Sequence, residues 1–559
     1  MRRLLFSFFL TSVLILNSSA VNHFANAQRR PQRAQRTATS LATQRGADKI
    51  TASQIRDYLT FISSDALEGR DTPSRGLDIA AQFLAVNLSR WGLKPAGDAG
   101  SYFQKIALTT DVIDREQTKV SLNNQLLTLG EHYLPFPGTL DANAPMVFAG
   151  NGWFVKSKNI DGYRGIDARG KIAVIFGPPL GLPRGITRQD MQGTRGVDFM
   201  NAFEYAAKQG VAALVIVPDF QFIANWERNR MRMIDRGSLM VEKFQTTPSD
   251  RVVSGIIASP QLANTIFAGE RASATALFES VYGEQSVEPF ELRPEKKLSI
   301  SVRKQSSAAT STQNVVAVFE GSDPVLKNEY VALGAHYDHV GTGIPVAGDA
   351  IYNGADDDGS GTTALLAIAE ALAHATQRPK RSVLFVWHAG EEKGLWGSRY
   401  FTENPTVPLD KIVTQINLDM IGRSKPAGDT TPRNATLSGP DEIYVIGSKM
   451  MSTQLGEITE TVNRGYLNLT YNYRFDDPAD PNRYFFRSDH INYARKGVPI
   501  VFFFDGEHVD YHRPSDSVEK IDFQKMEKVT RTIYLTMWEI ADRATRPVVD
   551  KQLPAGVAR

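Results

Sequence analysis

The chain has 559 residues, of which 42% are hydrophobic and 22% charged, as is typical of a soluble globular protein with two to four domains. Its 63 Lys and Arg nearly balance its 61 Asp and Glu, so a formal net charge of +2 gives no bulk electrostatic reason to expect a nucleic-acid partner. There is no cysteine, which excludes disulfides, thiolate metal sites and cysteine nucleophiles.

The first residues have the pattern of a cleaved export signal. Arg2 and Arg3 precede an apolar run over residues 4–16, and Ala25-Asn26-Ala27 forms a small-residue cleavage site. The apolar run is shorter than the about 20 residues that a membrane-spanning helix needs. We therefore predict a signal peptide over residues 1–27, export to the periplasm or the medium, and no stable membrane insertion after cleavage.

The composition then divides the chain into segments. Residues 28–46 have no apolar period and are predicted to be a disordered mature N-terminus. Residues 47–139 begin with two amphipathic helices and form the N-terminal part of the main domain. Short apolar runs between Gly- and Pro-rich turns predict a β-rich insert over residues 140–290. Residues 291–545 complete the main domain, and residues 546–559 form a C-terminal tail.

Continuous apolar strands alternate with helices from about residue 314. This pattern predicts a mixed, mostly parallel central sheet with helices on both faces, an α/β fold in which ligands bind beyond the carboxyl ends of the strands. The predicted strands cover residues 330–335, 381–387, 413–418 and 498–504, and the predicted helices cover residues 362–375 and 522–543.

The first candidate ligand is His336, which ends a predicted strand. A lone histidine at such a position is more often structural, but here acidic residues follow the neighbouring strands. Asp338 lies two residues further and is expected to orient the His336 imidazole, or else to form a salt bridge at the strand end. His339 is expected to point away if the strand continues.

A glycine-rich loop at residues 353–361 contains three consecutive acids, Asp356, Asp357 and Asp358. Adjacent carboxylates repel one another unless a cation offsets their charge. The loop lacks the ligand spacing of an EF-hand, so a different metal site or a solvated turn remains.

Three further acids and a histidine follow the later strands. Glu391 and Glu392 come after one strand, and because adjacent side chains diverge, one can bind a metal while the other acts as a base. Asp419 ends a buried strand, where an unpaired carboxylate is costly. His512 is the second histidine that we expect to bind metal.

These motifs together resemble metallopeptidase family 28, the co-catalytic dizinc aminopeptidase type. The resemblance rests on the following segments, in order: His336-Tyr337-Asp338, Gly354-Ala355-Asp356-Asp357, Glu391-Glu392 with the Gly-Leu-x-Gly-Ser that follows, Asn417-Leu418-Asp419-Met420, Ser488-Asp489-His490, and Tyr511-His512 with Asp516. In the insert, the strand–helix–strand pattern over residues 170–217 resembles the protease-associated domain.

The resemblance implies a role for each of these positions. Asp356 would bridge two Zn²⁺ ions and would have a cis peptide bond to Asp357. His336 and Asp419 would complete one metal's ligands, and Glu392 and His512 the other's. Glu391 would be the general base, and Asp338 would orient His336. Manganese or cobalt would also suit these nitrogen and oxygen ligands.

The resemblance therefore implies an exported zinc exopeptidase that removes N-terminal residues from peptides. A carboxypeptidase of the same fold is the main alternative, because the metal ligands do not distinguish the two, and Arg483 and Arg487 could recognise a carboxylate. A glutaminyl cyclase, which uses one zinc, and a receptor that has lost its ligands are more distant alternatives. The sequence does not decide the oligomeric state.

Overall fold

The computed structural model describes residues 45–136, 138–179, 181–191, 193–244, 253–282 and 287–553. The predicted signal peptide and nearly all of the predicted disordered segment lie outside these residues, as does the end of the C-terminal tail. Within the described part of the chain, no helix is both long and apolar enough to cross a membrane.

The chain forms two compact units whose limits differ from the predicted ones. The second unit comprises Ile106–Thr312, whereas the insert was predicted over residues 140–290. The predicted limits were too narrow because strands on both sides of that range pair with strands inside it. The strand Lys297–Val302 pairs with both Leu140–Phe148 and Lys119–Leu122, so the sheet of the insert includes residues assigned above to the main domain.

The second unit contains a mixed nine-stranded sheet. The predicted strand–helix–strand pattern is present as Ile172–Phe176, Ala202–Gln209 and Ala213–Val217, and the two strands are parallel neighbours. The resemblance to a protease-associated domain stays a prediction. Its other strands and helices are Lys119–Leu122, Gln125–Leu127, Tyr133–Pro135, Leu140–Phe148, Phe154–Val155, Ile160–Asp161, Phe199–Met200, Phe220–Ala224, Trp226–Arg230, Ser238–Val241, Gly255–Ala258, Pro260–Phe267, Ala274–Tyr282, Phe290–Glu291 and Lys297–Val302.

The first unit is the α/β domain that the sequence predicts, and its elements are labelled here in chain order. The strands are β1 (Lys94–Pro95), β2 (Phe103–Ile113), β3 (Lys304–Phe319), β4 (Tyr330–His336), β5 (Gly341–Val346), β6 (Asp349–Tyr352), β7 (Ser382–His388), β8 (Ile412–Leu418), β9 (Glu442–Ile446), β10 (Thr470–Asn472) and β11 (Ile500–Phe504). Only the first residues of β2 and the last residues of β3 belong to this unit, and the rest of both strands belongs to the second. The helices are α1 (Ala52–Ile62), α2 (Arg75–Arg90), α3 (Gly359–Ala373), α4 (Trp396–Glu403), α5 (Ser448–Met451), α6 (Thr453–Gly465), α7 (His490–Arg495) and α8 (Phe523–Asp542).

The central sheet is mixed, with a parallel core. Its strand order is β2-β3-β7-β4-β8-β11-β9-β10, and β7, β4, β8 and β11 are parallel neighbours. Strand β3 is antiparallel to β7, and β9 is antiparallel to β11. The predicted fold class is therefore confirmed.

Both faces of this sheet are covered by helices, which explains why its strands are apolar throughout. On β4, Val331 and Leu333 join a core that includes residues of α1, α3 and α8. Ala332 belongs to a second core with Phe401 of α4 and Ile491 of α7. Because successive strand side chains point to opposite faces, each central strand must be hydrophobic at every position.

Arg70 connects the N-terminal segment to the loops that follow β4 and β6. It is fully buried, and its guanidinium donates hydrogen bonds to the carbonyl oxygens of Ile62, Tyr337, Asn353 and Gly354 at 2.5, 2.9, 2.8 and 3.0 Å. A buried cation with this set of acceptors fixes three segments of backbone relative to one another.

We expect Arg70→Met to lower the free energy of unfolding by at least about 3 kcal/mol, because several buried carbonyl groups lose their donor and the nearby carboxylates lose a cation. Chemical denaturation measures this change. Arg75→Met, at the exposed start of α2, is the matched control and should change stability by less than about 0.5 kcal/mol. Equal effects of the two substitutions would show that Arg70 does not hold these loops.

Candidate metal centre

The predicted ligands gather at one edge of the sheet because the parallel strands are in register there. His336, the last residue of β4, lies beside His388, the last residue of β7. Glu391 and Glu392 follow β7 directly, and Asp419 follows β8. Carboxyl ends of parallel strands meet at one edge, so residues distant in sequence come within a few ångström of one another.

His336, Asp357 and Asp419 form the first ligand group. The His336 Nε2 atom lies 3.3 Å from Asp357 Oδ1 and 3.6 Å from Asp419 Oδ1, and all three residues are buried. One donor atom from each residue lies close enough to the other two to share a single ion. We call this the first position.

A second group shares Asp357 with the first. His512 Nε2 lies 3.1 Å from both Asp357 Oδ2 and Glu392 Oε2, and His339 Nδ1 lies 2.9 Å from Glu392 Oε1. His339, Asp357 and Glu392 again place one donor atom each within reach of a single ion. We call this the second position, and Asp357 is the residue common to both.

The shared carboxylate is thus Asp357, not Asp356 as the resemblance implied. Asp356 Oδ1 instead accepts a hydrogen bond from the Gly422 N–H at 2.7 Å, and Oδ2 lies 3.2 Å from His508 Nε2. The cis peptide bond is likewise one residue later than expected, between Asp357 and Asp358. Three consecutive acids gave no signal for which of them faces the metal positions.

His339 does not point away from the ligand groups as predicted, and the reason is local geometry. The argument that it points away holds only if the strand continues, but β4 ends at His336. Beyond that residue the chain turns, and the His339 backbone N–H donates to the Arg70 carbonyl at 3.1 Å. The turn brings the buried His339 ring to Glu392. A second histidine three residues after a strand-ending ligand was the available signal.

Asp338 is placed where it can orient His336, as predicted. The His336 Nδ1 atom is 3.1 Å from the Asp338 carbonyl oxygen and 3.7 Å from its carboxylate. The same carboxylate accepts hydrogen bonds from the Thr72 hydroxyl at 3.1 Å and from the Glu391 backbone N–H at 3.1 Å. Asp338 therefore links the position of a ligand to that of the predicted base.

A chain of buried side chains supports Asp419. The Ser488 hydroxyl donates to Asp419 Oδ2 at 2.6 Å, the Asn417 amide donates to Ser488 Oγ at 2.9 Å, and the Gln415 amide donates to Asn417 Oδ1 at 3.1 Å. Gly334 on β4 makes room for this chain, because a Cβ there would lie 2.9 Å from the Gln415 amide nitrogen.

The acidic loop is held by backbone donors. Asp516 Oδ2 accepts the N–H groups of Asp356 and Asp357 at 3.0 and 3.2 Å, so it fixes this loop. Asp358 caps α3 through the Gly361 N–H and also accepts from the His336 N–H at 3.1 Å. Burial raises the pKa of Asp358 well above its usual range, with Asp419 and Asp357 adding to the effect.

The residues fit metal ions because several donor atoms are otherwise unsatisfied. Among the described residues, Asp357 Oδ2, Glu392 Oε1 and both ring nitrogens of His339 are buried without a hydrogen-bond partner. Unpaired buried polar atoms are costly, and a cation removes that cost. Burial lowers the pKa of His512, but Asp357 and Glu392 outweigh it and raise the pKa to about 10, so the cluster carries excess negative charge.

Residues 314–537, which include every residue of both ligand groups, match the family model described as peptidase family M28. This segment belongs to peptidase family M28.

Curated relatives match the M28 segment over part of their own length. Leupeptin-inactivating enzyme 1 of Streptomyces exfoliatus is 30% identical over 216 residues, which are 38% of this chain and 40% of that protein. Leucine aminopeptidase 1 of Trichophyton rubrum is 27% identical over 240 residues, 41% of this chain and 58% of that protein. The chain thus spans about half the length of the curated relatives that it matches.

Solved structures of similar proteins cover more of the chain. The aminopeptidase from Aneurinibacillus sp. strain AM-1 aligns with 91% of this chain and 98% of its own, at 17% identity and a TM-score of 0.48. A zinc aminopeptidase from Bacillus subtilis aligns with 90% of this chain and 98% of its own, at 18% identity and a TM-score of 0.47.

Substitution of Asp356 and of Asp357 should affect metal binding differently. We expect Asp357→Asn to abolish binding at both positions, since it removes charge from the carboxylate that they share. Asp356→Asn should retain the metal and mainly lower stability through its contacts with His508 and Gly422. Elemental analysis of the purified variants measures metal per chain. Metal loss in Asp356→Asn with retention in Asp357→Asn would contradict the assignment.

We expect Ser488→Ala to weaken metal binding at the first position by roughly 10- to 100-fold, because Asp419 loses the donor that orients it. Zinc competition with a chromophoric chelator measures the affinity. Ser424→Ala removes a hydroxyl that donates to Asp522 at 2.7 Å and is the matched control. If both variants bind like the parent, Ser488 does not orient the ligand.

Proposed function

We propose that the protein is an exported zinc aminopeptidase that uses two zinc ions. The observation that carries this proposal is the pair of ligand groups sharing Asp357, with Glu391 lining the same pocket as the residues of the first position. The M28 assignment of residues 314–537 and the relatives described as leucine aminopeptidases and zinc metalloproteases support it. The predicted signal sequence supports export.

In the proposed mechanism, zinc held by these residues would polarise the scissile carbonyl and acidify the attacking water. Glu391 takes the proton from that water and delivers it to the leaving amine. Burial raises the pKa of Glu391 well above its usual range, and the carboxylates of Glu392 and Asp489 add to the rise. A raised pKa suits a carboxylate that must accept and then donate a proton near neutral pH, although a nearby cation acts in the opposite direction.

The backbone around Glu391 is held in place by contacts on both sides. Its N–H donates to Asp338, which also contacts His336. Its carbonyl oxygen accepts from the N–H groups of Gly394 and Leu395, both at 2.8 Å. The base is therefore fixed relative to a ligand of the first position, as a proton-transfer step over about 3 Å demands.

The pocket favours an aminopeptidase over a carboxypeptidase. Its wall includes Met420 and the aromatic residues Tyr484 and Phe502, which suit an apolar side chain. Arg487 also lines it, but its guanidinium lies 2.7 Å from Glu507 Oε1. A carboxypeptidase needs a cation free to bind the substrate carboxylate, whereas the charge of Arg487 is already offset.

The other two alternatives have less support. A glutaminyl cyclase of this fold uses one zinc, whereas this chain has ligands for two positions. A receptor that no longer catalyses would not need the partly buried Glu391 or the unpaired donor atoms around Asp357.

A substrate panel tests the class of reaction. We expect hydrolysis of aminoacyl-p-nitroanilides with a free amino group, no hydrolysis of their N-acetyl counterparts, and loss of activity after chelation that zinc restores. Chromogenic assays with a catalytically neutral surface variant, His374→Ala, serve as the reference. Release of C-terminal residues from N-blocked peptides would overturn the aminopeptidase assignment.

Glu391→Gln separates catalysis from metal binding. We expect kcat to fall by about 10²- to 10⁴-fold, because the amide cannot accept the proton, while metal content stays unchanged. Steady-state kinetics and elemental analysis measure both quantities. An unchanged kcat would exclude Glu391 as the base, and loss of metal would make it a ligand instead.

A further inference from the structure

The second position has one more donor than the ligand set carried over from the family. His339 is fully buried, and its Nδ1 atom lies 2.9 Å from Glu392 Oε1 and 3.7 Å from Asp357 Oδ2. Its ring is 5.6 Å from that of His512 in an edge-on arrangement. The imidazoles of His339 and His512 therefore face the same two carboxylates, those of Asp357 and Glu392.

The contact between His339 and Glu392 is short but lacks the angular geometry of a good hydrogen bond. Within the described chain, His339 Nδ1 and Glu392 Oε1 both lack a hydrogen-bond partner despite their 2.9 Å separation, and so does Asp357 Oδ2. Three buried polar atoms thus converge without a well-aligned hydrogen bond among them. A shared cation satisfies all three, whereas a simple donor role for His339 leaves them unpaired.

The two positions also differ in their access to the pocket. Of the described residues, those lining the pocket include His336, Asp357 and Asp419 of the first position, but not His339, Glu392 or His512. The substrate consequently meets the first position. The second position lies outside this lining, and its His512 side chain is 38% exposed.

We propose that His339 is a metal ligand, so that the second position comprises His339, Asp357, Glu392 and His512. Four protein ligands, two of them imidazoles, are typical of a closed zinc site, whereas three ligands leave a place for substrate or water. Nitrogen donors also favour zinc over harder cations. The second position therefore binds zinc first and more tightly, and the first position is the exchangeable one.

This inference rests on the proposed two-zinc function, but zinc affinity tests it without any assay of activity. Protein freed of metal by chelation is titrated with Zn²⁺ against a chromophoric chelator, and in parallel with Co²⁺ while its visible absorption is recorded. We expect the parent protein to bind two equivalents of Zn²⁺, with the first equivalent bound at least about tenfold more tightly than the second. The first equivalent of Co²⁺ should give the visible absorption of a site with few ligands, of which several are nitrogen atoms.

Three substitutions distinguish a ligand from a residue that merely positions Glu392. In His339→Asn, an amide N–H at the place of Nδ1 keeps a donor toward Glu392. In His339→Asp, an oxygen anion at that place keeps a ligand, and His339→Ala keeps neither. We expect the tighter step to weaken by more than about 100-fold in the Ala variant, beyond the effect of an outer-shell partner, and clearly in the Asn variant, whereas Asp retains most of it.

The opposite ranking of the Asn and Asp variants in zinc affinity would overturn the proposal. If His339→Asn binds the first equivalent like the parent and His339→Asp does not, His339 is only a donor to Glu392. His374→Ala, which removes an exposed imidazole, should leave both steps unchanged, and circular dichroism of each metal-free variant verifies folding. A parent that binds two zinc ions as expected but cleaves no aminoacyl substrate would refute the proposed function and leave this inference intact.

Discussion

The interaction on which the first unit depends is the burial of many carboxylates at one edge of its central sheet. Isolated buried carboxylates are unfavourable, so each needs a donor or a cation. The structure supplies these in two ways. Asp338, Asp358 and Asp516 accept backbone N–H groups, so the fold itself supplies their hydrogen-bond donors. Asp357 and Glu392 each keep an oxygen without such a donor.

This division indicates which carboxylates belong to the scaffold and which to the reaction. The scaffold carboxylates join loops that are remote in sequence, as Asp516 does for the acidic loop and Asp338 does for Glu391. Their donors are main-chain groups, which cannot dissociate. Asp357 Oδ2 and Glu392 Oε1, which have no donor, both belong to the ligand groups, where a cation can supply the positive charge. Metal binding and folding of this edge are therefore coupled.

Much of this arrangement could be predicted from the sequence. Apolar strands that end in His336, Glu391 and Asp419 predicted both the parallel sheet and the edge at which the ligands meet, because strand direction alone determines that edge. The alternation of side chains along a strand does not predict side-chain directions beyond the last residue of that strand. The alternation rule placed His339 on the wrong side because β4 stops three residues earlier, and it could not choose among three consecutive acids.

The limits of the second unit were missed for a related reason. Composition marks where turns become frequent, but strand pairing decides which residues share a sheet. The strand Lys297–Val302 lies outside the predicted insert yet pairs along its whole length with Leu140–Phe148 inside it. Such pairing joins residues about 150 positions apart and leaves no local trace in the sequence.

The acidic loop shows how neighbouring residues of one chemical type take separate tasks. Asp356 faces His508, whose other ring nitrogen is 3.4 Å from the Arg423 guanidinium, so its charge is offset from the side away from the metal positions. Asp358 turns back to cap α3. Asp357 alone points between the two ligand groups. Because adjacent backbone positions direct side chains differently, three consecutive carboxylates take part in a charged network, a helix cap and the candidate metal centre.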